Sequence, residues 1–563
     1  MRKNRMQKYI SGGQLALDRM ERDSLRGNAV MQELLMELIR KNENTEYGRK
    51  YGFRSIHSYV DYAAKVPLST FEDYEPYIER MLCRNHRNLL TSDEVVYYAH
   101  TSGTTGASKM IPCTHQALDV CFSAVYERVF GLYDRTLREK TGKGMPDCRG
   151  LTIMEAKPGY TIYGVAHGAI SETLLVPEDT ARYNALPEEL VYPSADFDRR
   201  HLKALFALRE RRLSFIQCTF APFLHDMIAY LCQHWETLCQ DIENGSIDPD
   251  IVVDPALRKK LLKRMKPDPE RAREVRSIME AHADGAFVPL LWPDLKLIAT
   301  VGTASFAPYL EKLRRYLGPD VAVDYLGYVS SEAAIGTVLR ENEAEYTLIP
   351  WSGFYEFLPM DEESDGKPLL MDQLEVGKEY ELIVTNLSGF YRYRLGDVVR
   401  ITGYHNECPK LVCAYRKSQL VNMYGEKMTE TTLHNAVEAM AKESNTAILE
   451  YSVYPDAETD PGHYTVLLES DREIAPDQWS RYSEILNRKL CELHDSYRAK
   501  IERKTLLPLQ VKFVQPETYA LYRDLKIMGG ASPNQIKPLH VITDGRLKRF
   551  FFGLLQGPTQ TDA

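Results

Sequence analysis

No stretch of this chain is apolar for long enough to span a bilayer, and no Cys-x-x-Cys pair occurs among its ten cysteines. The first absence excludes a helical membrane span. The second removes the usual zinc-binding spacings, since the closest pair, Cys408 and Cys413, has no histidine set around it. Free thiols in a reducing cytoplasm are the expectation. The N-terminus, Met1-Arg2-Lys3-Asn4-Arg5, is basic but runs into Gln, Lys and Gly instead of a hydrophobic signal core. A basic surplus is also missing. The net charge of -9 argues against a nucleic-acid partner. Neither an internal repeat nor a low-complexity tract is present.

What is present is a long, ordinary globular sequence. Its 563 residues, 44% hydrophobic and 26% charged, imply about two to four domains. The spacing of Val30, Leu34, Leu35, Leu38 and Ile39 predicts an amphipathic helix over 28–39. Leu295–Val301 reads as a strand, Tyr309–Tyr316 as a helix and Val321–Tyr325 as the next strand. Such a βαβ unit implies a mostly parallel sheet. Asp268-Pro269 has the order of a helix start, and residues 200–285 read as largely helical. A change comes near Tyr415. After it the expected order is a helix over Glu430–Ala441, strands at Glu450–Tyr454 and His463–Glu469, helical sequence over 476–503, and a strand at Leu509–Val514. This is a small α+β domain following a large α/β one, with a hinge near residue 416.

Three segments carry chemistry. His100-Thr101-Ser102-Gly103-Thr104-Thr105-Gly106-Ala107-Ser108-Lys109 follows an expected strand at Glu94–Ala99. Gly103 and Gly106 permit close backbone approach to a bulky anion, while hydroxyls and Lys109 supply donors and charge. The spacing is not that of a P-loop NTPase, and a polar surface turn is the competing reading. The second segment, Tyr325–Glu332, is expected as a loop at the C-terminal edge of a parallel strand, where open α/β sheets bind ligands. Tyr328 offers a flat face to a base. Glu332 offers a hard oxygen to Mg²⁺ beside phosphates; core packing and a helix cap are the alternatives. In the third, Tyr391–Arg400, Gly396-Asp397 needs a tight turn, and Asp397 can accept hydrogen bonds from both hydroxyls of a ribose. Arg392 reads otherwise as a solvated arginine on a half-buried strand.

Ser-Gly-Thr-Thr-Gly with Lys109, Tyr-x-x-Ser-Glu and Arg-x-Gly-Asp, in that order, resemble the adenylate-forming enzyme superfamily. More narrowly, the chain resembles the auxin-responsive acyl acid amido synthetase family. Asn44–Gly48, Tyr51–Phe53, Val66–Leu68, Phe71–Tyr74, Thr219–Ala221, Trp292–Leu295, Tyr355–Pro359, Gly403–Asn406 and Ser532–Pro538 extend the likeness along most of the sequence.

The resemblance implies a two-domain adenylate-forming architecture: an N-terminal adenylation domain over 1–415, a hinge over 416–420 and a mobile C-terminal domain over 421–563. It implies a ligase that uses ATP and Mg²⁺ to convert a carboxylic acid to an acyl-adenylate and passes the acyl group to an amino acid. Ser102, Gly103, Thr104, Thr105 and Gly106 would meet the phosphates with Lys109. Thr303, Ala304, Tyr328 and Ser331 would surround the nucleotide, Asp397 and Arg416 would reach the ribose, and Glu332 would place the metal. Lys537 is the implied catalytic lysine beside Lys109, and Lys427 a further nucleotide contact. The expected partners are small molecules, with neither nucleic acid nor membrane, and the expected location is cytoplasmic. Three departures set the chain apart from the plant pattern: the shorter Thr105-Gly106 spacing, Gly302-Thr303-Ala304 in place of Gly-Ser-Met, and Lys537 directly before Pro538. They imply a divergent, bacterial branch. A coenzyme A ligase forming a thioester and a non-catalytic nucleotide or acid sensor stay open as alternatives at this point.

Overall fold

The computed structural model describes every residue except 1–3, 102–108, 143, 145–148, 175–182, 196, 284, 304–305, 361–365, 418–420, 422, 425, 427, 530, 532, 534–535, 543–544 and 558–563. Two compact units divide at Ala414/Tyr415: the larger runs up to Thr101 and resumes over Lys109–Ala414, and the smaller begins at Tyr415.

Three sheets build the larger unit. Strands β3 (Arg149–Thr152), β6 (Leu213–Phe220), β7 (Leu297–Val301) and β8 (Ala322–Asp324) form a fully parallel sheet in the order β3-β6-β7-β8. The helix Ala307–Leu317 makes the expected crossover from β7 to β8. Strand β6 interrupts the region read as helical. Its sequence, Leu-Ser-Phe-Ile-Gln-Cys-Thr-Phe, alternates in two short runs whose phase breaks at Phe215-Ile216, and Leu213 to Cys218 are all buried, so no single polar face marks it as a strand between two helices. On its flanks lie the helices Arg199–Arg209 and Ala221–Asn244. The helix Pro269–His282 starts where Asp268-Pro269 predicts, with the Asp268 side chain accepting from the Arg271 amide.

Parallel character does not extend to the other two sheets. Strands β1 (Val95–His100), β2 (Met110–Thr114), β4 (Gly159–Tyr160) and β5 (Ala166–Gly168) form a mixed sheet, parallel only between β1 and β5. The largest sheet has seven strands in the order β12-β13-β14-β15-β11-β10-β9. They are β9 (Gly327–Val329), β10 (Ala334–Thr337), β11 (Tyr346–Leu348), β12 (Gly353–Pro359), β13 (Glu379–Asn386), β14 (Tyr393–His405) and β15 (Cys408–Arg416). The β9–β10, β10–β11, β11–β15, β12–β13 and β13–β14 pairings in it are antiparallel. The mixed α/β class therefore holds, while the parallel arrangement implied by the Leu297 unit belongs to one sheet of three.

The smaller unit is α+β. Strands β16 (Ile448–Asp456), β17 (His463–Ser470) and β18 (Gln510–Phe513) pair antiparallel and then parallel. Alternation along β17 explains its two covered faces: Val466 and Leu468 enter the core under the helices Glu430–Ser444 and Trp479–Leu493, while Leu467 enters a second core with Tyr519 and Phe551. Among the described residues no helix is long and apolar enough to cross a membrane.

Candidate functional site

Tyr328 lies on β9 itself, at the edge of the seven-stranded sheet, where a loop was expected. The reason is local. Gly327 and Tyr328 pair with Thr337 and Gly336, so the chain turns directly from the parallel sheet into a hairpin. The Tyr328 hydroxyl donates to Asp397 Oδ2 at 2.7 Å, and both side chains are buried.

Asp397 reaches that position through an irregularity in β14. Arg394 pairs with Ile383 and Val398 with Glu381, so Leu395, Gly396 and Asp397 stand opposite the single residue Leu382. Gly396 takes φ +80°, a conformation that favours glycine, so the turn inferred from Gly396-Asp397 is a bulge inside a strand. Bulges re-aim side chains, and this one directs a carboxylate at Tyr328.

Between the two lies Tyr346, on β11, which sequence reasoning passed over because Tyr346-Thr347-Leu348 carries no motif. Its ring sits 5.9 Å from that of Tyr328, and its hydroxyl shares a 2.9 Å hydrogen bond with Thr303 Oγ1. Burial pushes the Tyr346 phenol up, and the Thr303 bond offsets this only in part, so the group stays neutral. Gly302 permits the approach of the following helix, because a Cβ there would stand 2.7 Å from Leu310 Cδ2. Thr303, Tyr346, Tyr328 and Asp397 thus form one connected cluster.

A second group gathers where β1 ends. Thr101 and Lys109 bracket the hydroxyl-rich loop: the Thr101 amide donates to the Lys109 carbonyl at 3.1 Å, and the Lys109 amide to Thr101 Oγ1 at 3.2 Å. Ser102, Gly103, Thr104, Thr105 and Gly106, like Ala304 and Lys427 elsewhere, lie outside the described residues. The Lys109 ammonium stands 4.7 Å from the centre of the Phe71 ring. In the β9–β10 hairpin, Ser331 Oγ donates to the His100 carbonyl at 3.0 Å and Asn386 Nδ2 donates to the Glu332 carbonyl at 2.9 Å. No helix begins at Ser331-Glu332, which removes the capping alternative for Glu332. The His100 ring stacks on His167 at 4.9 Å; burial, and then the neighbouring imidazole, hold its pKa below the ordinary value. Lys109, Ser331 and Glu332 are accordingly brought to one end of β1. Among the described residues no three His, Cys, Asp or Glu side chains could enclose a metal. A single half-buried carboxylate such as Glu332 suits an ion held mainly by phosphate oxygens and water, as Mg²⁺ commonly is.

The models for the GH3 family N-terminal, central and C-terminal domains match residues 16–322, 346–416 and 431–546 in turn. The chain belongs to the GH3 family. It is 29% identical over 550 residues to the probable indole-3-acetic acid-amido synthetase GH3.1 of Arabidopsis thaliana, covering 93% of this chain and 90% of that one. Over 528 residues it is 27% identical to the jasmonoyl-L-amino acid synthetase JAR4 of Nicotiana attenuata, with 90% of each covered. The solved structure of GH3.15 acyl acid amido synthetase superposes with a TM-score of 0.79 at 23% identity, covering 96% of both chains, and shows the shared fold.

Two further residues expected at the site, Arg416 and Lys537, lie beyond the division at Ala414/Tyr415. Arg416 is the last residue of β15. Lys537, half-buried, precedes a segment that runs alongside β16: the Val453 amide donates to the His540 carbonyl and the Ile542 amide to the Val453 carbonyl, both at 2.8 Å. The His540 ring stacks on Tyr451 at 4.5 Å. Lys537 is thereby carried on backbone anchored to the sheet.

Proposed function

We propose that this GH3 protein is an acyl acid amido synthetase that activates a carboxylic acid with ATP as an acyl-adenylate and transfers the acyl group to the amine of an amino acid. The observation that carries this reading, beside family membership, is the Tyr328–Asp397 bond inside the cluster that also contains Thr303. A carboxylate has about four lone-pair sites, so the Tyr328 bond does not by itself bar Asp397 from accepting ribose hydroxyls. Tyr328 and the Thr303-Ala304 backbone would then border the adenine, with Arg416 as a second ribose contact and Lys427 as a further nucleotide contact.

The chemistry requires two anions side by side and relief of the charge that builds on the α-phosphate. Ser102, Gly103, Thr104, Thr105 and Gly106 would donate to phosphate oxygens with Lys109, and Ser331 would lie beside the nucleotide. Glu332 would hold Mg²⁺, which when bound supplies further neutralisation. Lys537, on the smaller unit beyond a hinge at 416–420, would meet the α-phosphate and acyl oxygens; movement of that unit could keep water from the adenylate. The likeness to acid-amido synthetases over some nine-tenths of the chain favours an amine over a thiol as acceptor. We place the protein in the cytoplasm, without nucleic-acid or membrane partners, and on a bacterial branch, a placement supported by the motif departures at Thr105, Thr303 and Lys537.

A screen of carboxylic acids against amino acids, read by pyrophosphate release and product mass, tests the proposal. Acid-dependent pyrophosphate with an amide product is expected. A thioester formed only with coenzyme A, or no pyrophosphate with any acid, would overturn it.

A further inference from the structure

The hairpin that carries Tyr328, Ser331 and Glu332 is packed against an irregular helix. The helix His115–Cys121 passes through a π-helical turn, Phe122–Glu127, before continuing as Arg128–Thr141. A π turn changes which side chains and carbonyls face a neighbour. Here the Ala124 carbonyl accepts from Thr337 Oγ1 of β10 at 2.7 Å. Val125 lies against Gly327, where a Cβ would come within 3.0 Å of its Cγ1. Directly after the turn comes Arg128, whose side chain is 1% exposed.

Arg128 bonds both carboxylate oxygens of Asp324, one through Nη1 and the other through Nη2 at 3.0 Å, and Nη2 also donates to the Leu326 carbonyl. Asp324 ends β8 and Gly327 begins β9, so these contacts clasp the two-residue link between the parallel and antiparallel sheets. Within the link Leu326 has φ +57°, and its amide donates to Asp324 Oδ1 at 2.7 Å. Leucine seldom adopts the left-handed region, so surrounding contacts must hold it there. Tyr328 follows two residues later.

We propose that Arg128 is a positioning residue for the nucleotide site: by gripping Asp324 and the Leu326 carbonyl it keeps Leu326 left-handed and so aims Tyr328 at Asp397. The role rests on reading that cluster as the nucleotide site. An ion pair buried this completely adds little net stability over a packed apolar pair, whereas its fork orients the groups it holds.

The test compares Arg128→Lys and Asp324→Asn, each alone and combined with Leu326→Gly. The readouts are the KM for ATP, the KM for the acid, the melting temperature, and amide hydrogen exchange of segment 325–337. Lysine cannot fork three acceptors, and asparagine keeps size while losing charge. Each single change is expected to raise the ATP KM tenfold or more, leave the acid KM within twofold, and speed exchange in the segment. Adding Leu326→Gly should return the ATP KM to within about threefold of the starting enzyme, since glycine takes a positive φ unaided. A merely structural ion pair would show no such rescue. Should Arg128→Lys fail to fold, the Asp324→Asn pair decides by the same criteria. An unchanged ATP KM, no rescue by glycine, or a defect confined to the acid KM overturns the proposal. Absence of acid-dependent pyrophosphate release in the unaltered enzyme would instead count against the proposed function, and the exchange comparison alone would then decide the role of Arg128.

Discussion

The Tyr328 hydroxyl donates to Asp397 at 2.7 Å although their strands, β9 and β14, stand four places apart in one sheet. In a flat sheet four places are about 19 Å, well beyond the reach of the two side chains. The seven-stranded sheet is therefore strongly curled, with the bulge at Gly396 on one side and the β9–β10 hairpin on the other. Curvature, and not sequence proximity, assembles the cluster.

This relationship separates two substitutions. Asp397→Asn keeps the size of the side chain and removes the charge that would bind a ribose. Hydrogen bonds to charged groups contribute about 1.5–3 kcal/mol, so kcat/KM for acid-dependent pyrophosphate release should fall roughly 10- to 150-fold. Tyr328→Phe removes only one donor to the same carboxylate and should cost about fivefold, near 1 kcal/mol. Steady-state pyrophosphate assays with varied ATP check both; equal losses would argue that Asp397 acts only through Tyr328.

Gly396 supplies a sharper case. No atom stands within 4 Å of a modest Cβ there, so alanine meets no clash and suffers only from φ +80°. The cost of holding a non-glycine residue left-handed is about 1–2 kcal/mol. We expect Gly396→Ala to lower the unfolding free energy by about that amount in urea titrations. Its pyrophosphate release should fall by more than the change in folded fraction explains, because the bulge re-aims Asp397.

The legible parts of the fold are those set by local pattern. The helix Gly27–Lys41 follows from its apolar spacing, Pro269–His282 from Asp268-Pro269, and the order of the smaller unit from alternation and turns. Strand β6 was hidden because its alternation changes phase at Phe215-Ile216 and helical sequence flanks it on both sides. The solvated reading of Arg392 failed for a related reason: its environment comes from residues far away in sequence, Glu356, Ala63 and Val66. In the cluster, Asp397 and Tyr328 were found through motif order. Tyr346 and Arg128 were not, since one hydroxyl among 35 tyrosines and one guanidinium in an amphipathic helix carry no local mark.

Arg392 also predicts how unequal two ion pairs can be. Its guanidinium, 7% exposed, donates to Glu356 at 2.8–3.2 Å and to the carbonyls of Ala63 and Val66. Arg392→Ala leaves Glu356 buried without its counter-charge and should cost about 3–5 kcal/mol. Arg488, 49% exposed and paired with Glu443, should cost under about 1 kcal/mol when replaced by alanine. Urea midpoints of the two variants check the contrast, and similar losses would refute it.

His225 sets a pH dependence with a definite sign. It lies edge-on to Tyr309 at 5.7 Å between ring centres. Burial, followed by the charge of Lys312, holds its pKa down to about 4 against the opposing pull of Asp226. The unfolded chain, near 6.5, binds a proton that the folded chain refuses. Stability contributed by this group is therefore complete above pH 6.5 and is lost as the pH falls towards 4, by at most about 3 kcal/mol. Thermal melts of the native protein and of His225→Phe at pH 7.5 and pH 5.0 read the effect. The native protein should lose more melting temperature between the two pH values than the phenylalanine variant, whose side chain cannot take up the proton. Parallel losses would show that His225 is accessible to protonation in the folded state.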